Sequence, residues 1–155
     1  MIRMNKVLSI LNNEPWYKEG LSFKCTGCGA CCTGSPGYTW VSEAEIATLA
    51  AHLNLTVKEF GRKYLRYVED RYSLLEDPLT YDCIFLKDNR CSVYQHRPTQ
   101  CRTFPYWPST LYTKEAWLEA AKFCEGINHK DAEIVPTETI EKELSSQLQY
   151  QRYEL

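Results

Sequence analysis

The stretch Cys25-Thr26-Gly27-Cys28-Gly29-Ala30-Cys31-Cys32 decides how this chain is read. It holds four thiols in eight residues, and four more follow at Cys83, Cys91, Cys101 and Cys124. Packing gives no reason for such crowding, because a buried cysteine is only a small hydrophobe with a weak S–H donor. Chelation does. Two thiolates separated by two residues reach one ion if the backbone turns tightly, and Gly27 and Gly29 permit the positive φ angles of such a turn.

The two-residue gap repeats at 25, 28 and 31, a spacing used by cysteines that hold iron–sulfur clusters. Here Cys32 follows at once, with neither a three-residue gap nor a proline after it. Neighbouring side chains of an extended segment point opposite ways. The doublet is therefore expected to serve two metals, or two irons of one cluster. All eight cysteines are candidate metal ligands. The spacing leaves open iron, an iron–sulfur cluster or zinc.

At 155 residues the chain is expected to form a single domain, 1–155, long enough to bury a core. Apolar residues make up 44% and charged residues 25%, as in ordinary globular proteins. A net charge of −2 gives no electrostatic reason to expect nucleic acid or an anionic membrane as partner. The apolar run Val7–Leu11 is too short for a signal-peptide core, and no stretch approaches the roughly 20 apolar residues of a membrane span. A cytoplasmic location is expected, where thiols stay reduced. In that compartment eight cysteines point to metal or redox chemistry rather than to four disulfides.

Along the chain, residues 4–13 are expected to form a short amphipathic helix ending before Pro15, and residues 21–24 an extended approach to Cys25. Ser42…Glu45 and Thr56…Glu59 match the capping box. They predict one helix to about Leu53, burying Ile46, Leu49 and Leu53, and a second to about Tyr72 through Val57, Phe60, Tyr64 and Val68. The basic residues Lys58, Arg62, Lys63 and Arg66 alternate with acids and read as a solvated face. Residues 83–86 and 91–94 predict a hairpin around residues 87–90, and Arg97-Pro98 opens a helix into Cys101. A further helix is expected from Lys114 to Cys124, and a C-terminal one over about 137–153, its stripe of Ile140, Leu144, Leu148 and Leu155 docking on the domain.

Four thiolates around Zn²⁺, or around a cubane carrying two net positive charges, leave about −2 to be compensated. Arg97 and Arg102 flank Cys101 and are candidates to supply positive charge and N–H groups to the sulfurs. His52, His96 and His129 lack ligand spacing and are expected to be structural. No serine-hydrolase elbow, phosphate loop or dinucleotide fingerprint is present.

The pattern Phe23-x-Cys25-x-x-Cys28-Gly29-x-Cys31-Cys32, with Cys83-x-Phe85-Leu86, Cys91-Ser92-Val93-Tyr94, Arg97-Pro98-x-x-Cys101-Arg102-x-Phe104-Pro105 and Cys124, resembles the CxxCxxCC cysteine-cluster family. That family is described as zinc- or iron-chelating and includes the flagellin lysine N-methylase. The resemblance spans roughly residues 21–126 and implies a metal-binding domain with eight cysteine ligands. It assigns no reaction, and no S-adenosylmethionine signature accompanies it.

The expected fold is α+β: a mainly helical small domain with a short β-hairpin and irregular cysteine-bearing loops around a metal centre. Whether it is an enzyme stays open. An accessible metal position, with Tyr38, Trp40, Tyr106 and Trp107 around it, would make a redox or methyl-transfer-related enzyme acting on a small molecule or protein. A closed one would make a structural zinc module for protein–protein interaction. A thiol redox switch would instead form reversible disulfides.

Overall fold

The computed structural model describes residues 14–152, so the helix expected over 4–13 and the contribution of Leu155 lie outside it. Strand β1 (Leu21–Ser22) is followed by a 3₁₀ turn at Ala30–Cys32 and by β2 (Trp40–Val41). Helices α1 (Glu43–His52) and α2 (Val57–Tyr64) both begin in complete capping boxes, each hydroxyl and carboxylate satisfying the other's backbone N–H.

The second helix stops at Tyr64, eight residues short of the expected end at Tyr72. Residues 65–74 instead form an antiparallel hairpin, β3 (Leu65–Val68) with β4 (Arg71–Leu74). The turn residues Glu69 and Asp70 have φ 50 and 61, as a two-residue hairpin turn requires. Val68 kept the four-residue apolar spacing of the helix, but Leu65, Tyr67 and Val68 favour strand, and β2 pairs along β4 to complete a three-stranded sheet ordered β2-β4-β3.

The hairpin expected from the second cysteine region is present but tighter. Strands β5 (Leu86–Lys87) and β6 (Arg90–Cys91) meet across Asp88 and Asn89, both at positive φ. A 3₁₀ turn at Tyr94–His96 leads to α3 (Thr99–Thr103), then α4 (Pro108–Leu111) and α5 (Lys114–Ala121), with Cys124 just past its end. Strand β7 (Ile134–Val135) pairs with β1, and α6 (Thr137–Arg152) closes the fold. The architecture is a small α+β domain, as expected.

Two apolar cores form. Val41, Ile46, Leu49, Phe60, Leu74, Phe85 and Val93 make one; Tyr17, Leu21, Tyr106, Leu111, Trp117, Ile127 and Ile140 make the other. Helix α6 docks through Ile140, which is fully buried, and Leu144, reinforced by Arg102–Glu143 at 2.8 Å and Thr103–Gln147 at 3.2 Å. Cys83 and Cys91 pack on the first core and Cys124 on the second. The sulfurs thus lie at the seam between the two.

Candidate metal centre

All eight cysteines line one cavity of about 170 Å³. Gly29, at φ 75, caps the 3₁₀ turn, and the Cys32 N–H closes it on the Gly29 carbonyl at 2.9 Å. The Cys83 N–H donates to the Cys32 carbonyl at 2.7 Å, tying the first cysteine motif to the second. On the other side, the Lys24 N–H donates to the Gly126 carbonyl at 3.0 Å, and Phe23 bridges Ile127, bringing up Cys124.

The doublet departs from the sequence expectation. Cys31 and Cys32 sit in a helical turn, not an extended segment, and their sulfurs are 3.9 Å apart. Two thiolates about 2.3 Å from one tetrahedral zinc stand about 3.8 Å from each other. The doublet's spacing therefore suits a single ion.

Among the described residues, no carboxylate or imidazole lines this cavity, and its charged groups are Arg97 and Arg102. A soft, all-sulfur donor set with cations beside it fits zinc or iron and does not suit calcium or magnesium. Among the described residues, no three Cys, His, Asp or Glu side chains stand close enough together as placed to hold one ion.

The two arginines differ. The Arg97 guanidinium lies 3.7 Å from the centre of the Tyr94 ring, and its charge favours the thiolates of Cys31, Cys91 and Cys101. Arg102 lines the same cavity but is held by Glu143 of α6. Sequence reading missed a third source of donors. The Phe85 N–H acts to lower Cys83, the Val93 N–H to lower Cys91, and the Gly126 and Ile127 N–H groups to lower Cys124, each against burial. Backbone amides thus favour the thiolate form at three positions. The signal was the residue two places after each cysteine.

Cys31 is lowered to about 6, first because the Cys32 thiol donates to its sulfur, with Arg97 adding to the effect against burial. Cys32 is correspondingly pushed up by that bond and by burial. Burial also pushes up Cys83, Cys91, Cys101 and Cys124. These four stay protonated in the metal-free fold at neutral pH, so a metal must displace their protons. Zinc affinity is expected to rise at least about tenfold per pH unit between pH 6 and 8, measurable by competition with a chromophoric chelator.

The linkage has the opposite sign without metal. With folded pKa values above the unfolded value of about 8.5, the unfolded chain loses its thiol protons first. The metal-free fold keeps this contribution below about pH 8.5 and loses it as pH rises.

The remaining candidates fall elsewhere. The His52 and His96 rings pack against each other at a tilt of 43°, centres 4.2 Å apart, and neither lines the cysteine cavity. His129 accepts the Asp131 N–H at 3.1 Å. Tyr106 is a core residue rather than a pocket wall, and Trp40 is covered by Tyr38 and Arg71. Tyr38 and Trp107 line a second cavity of about 190 Å³.

A family model described as "putative zinc- or iron-chelating domain" matches residues 24–125, from just before Cys25 to just after Cys124. The chain belongs to the CxxCxxCC family. It is also similar to an uncharacterized protein of Methanocaldococcus jannaschii, 26% identical over 125 residues, covering 76% of this chain and 65% of the relative. The chain thus spans just under two thirds of that relative's length. No solved structure matches it. The CxxCxxCC match takes in every cysteine of the cavity. No helix among the described residues is long and apolar enough to cross a membrane.

Proposed function

We propose that this domain chelates iron, as an iron–sulfur or polynuclear iron centre, through Cys25, Cys28, Cys31, Cys32, Cys83, Cys91, Cys101 and Cys124. The observation that carries the reading is the convergence of all eight on one cavity with no carboxylate or imidazole among the described residues of its walls. Iron is preferred over zinc on volume. One water occupies about 10–15 Å³ of such space, so 170 Å³ holds on the order of ten waters. A bare tetrahedral ion needs far less; a cluster containing inorganic sulfide uses it. Arg97 and the amides of Phe85, Val93, Gly126 and Ile127 would offset the negative charge of the loaded site.

The seam position supports a second reading, a structural zinc module in which the metal only joins the two cores. Purification without oxygen, elemental analysis and a visible spectrum separate the two. Iron with a broad sulfur-to-iron absorption in the visible is expected. A colourless protein with stoichiometric zinc would replace the iron assignment, and a protein that takes up neither metal would end the chelation reading.

A further inference from the structure

The two cavities divide the sulfurs. The second lies against the first and shares part of its wall: Cys31, Cys32, Cys83 and Cys101, with Leu74 and Phe104 between them. Cys25, Cys28, Cys91 and Cys124 line the first cavity alone.

Hydrogen bonds tie members of each set together, although the β5–β6 hairpin also joins the Cys83 and Cys91 segments. In the shared wall, the Cys83 N–H is held by the Cys32 carbonyl, and the doublet's sulfurs are in contact. At the mouth, the Thr26 hydroxyl donates to Glu125 at 2.5 Å, binding the Cys25–Cys28 loop to the turn that carries Cys124.

We propose that the eight sulfurs act as two sets of four, an inner set of Cys31, Cys32, Cys83 and Cys101 and a mouth set of Cys25, Cys28, Cys91 and Cys124. Each set takes one thiophilic centre, a tetrathiolate ion or a cubane, since both kinds are satisfied by four thiolates. The inner centre is approached from two sides, and the second side is the mixed polar and aromatic cavity bounded by Tyr38, Glu76, Tyr81 and Trp107. Small molecules that reach the inner metal would come from there. This division rests on the chelation reading of the same cavity.

Co²⁺ alone, added without oxygen to the full chain, tests it, because thiolate-bound cobalt absorbs in the near ultraviolet and visible. The native chain is expected to bind two equivalents. The pairs Cys32→Ser with Cys101→Ser, and Cys25→Ser with Cys124→Ser, are each expected to leave one equivalent with tetrahedral cobalt bands. Loss of both equivalents from a folded pair variant, or of neither, overturns the division.

Partly loaded native chain gives a reading that needs no variant. Free thiols are alkylated and located by mass spectrometry. The four protected cysteines of singly loaded molecules are expected to be one whole set; protection drawn from both sets overturns the proposal. A native chain that binds no cobalt would remove the chelation reading itself, whereas two equivalents with mixed protection would remove only the division.

Discussion

Stripping the metal from this domain with a strong chelator, under reducing and oxygen-free conditions, is expected to lower its melting temperature by roughly 8–20 °C. The reason is where the sulfurs sit. Cys83 and Cys91 pack on one core and Cys124 on the other, while Cys25–Cys32 lies across the seam. Helix α3 also spans it, bonded to β2 and α1 through Gln100 and Thr99 and to α6 through Arg102 and Thr103. Without metal, a thiol-lined cavity of about 170 Å³ separates the cores. Structural zinc contributes about 10–16 kcal/mol in peptides that have no core of their own. A domain with two cores draws on only part of that, about 4–5 kcal/mol. At about 2–4 °C per kcal/mol for a chain of this size, the shift follows. Cys28→Ser is expected to move metal content and melting temperature down together. A melt unchanged after complete metal loss would mean that packing alone closes the seam.

Local chemistry made much of this fold legible. The Ser42 and Thr56 capping boxes place two helix starts because the signal sits within four residues. Asp88-Asn89 marks a hairpin for the same reason: both residues tolerate left-handed backbone. The hairpin of residues 65–74 was not legible, because what selects it is distant. Arg66 reads as part of the polar face of a helix, yet it lies 4.6 Å from the ring centre of Tyr38, and Arg71 lies 3.9 Å from that of Trp40, some thirty residues earlier. The buried Ser73 hydroxyl accepts the Thr39 N–H in the same place.

The candidate site divides in the same way. Cysteine spacing announced the candidate donors, since chelation constrains sequence directly. The groups that stabilise their charge were only half visible. Arg97 stood out as a charge, but a backbone N–H leaves no mark except the residue that carries it. Phe85, Val93 and Gly126 occur two places after their cysteines, where a tight turn aims the amide back at sulfur. Tyr106 misled because an aromatic beside a cysteine motif looks like a pocket wall, whereas the second core needed a large ring against Trp117.

Two glycines of the first motif separate backbone strain from steric fit, and Gly29→Ala is expected to be the more damaging of their two alanine substitutions. Gly27 and Gly29 have nearly equal φ values, 71 and 75, so alanine is strained at both by about 1–2 kcal/mol. Their surroundings differ. A Cβ at position 27 would meet nothing within 4 Å. At position 29 it would lie 2.5 Å from the Asn89 carbonyl oxygen and 2.9 Å from its carbon and from Leu86 Cδ1. The backbone of the β5–β6 turn would have to retreat, adding about 1–3 kcal/mol of overpacking. That movement carries Cys91 away from Cys28 and Cys31, so metal content should fall with stability. Gly27→Ala is expected to cost only about 1–2 kcal/mol and to keep its metal. Thermal melts and elemental analysis of the two variants side by side decide the point. Equal losses would mean that left-handed strain accounts for both, and that contact between the first motif and the β5–β6 turn does nothing to hold the sulfurs together.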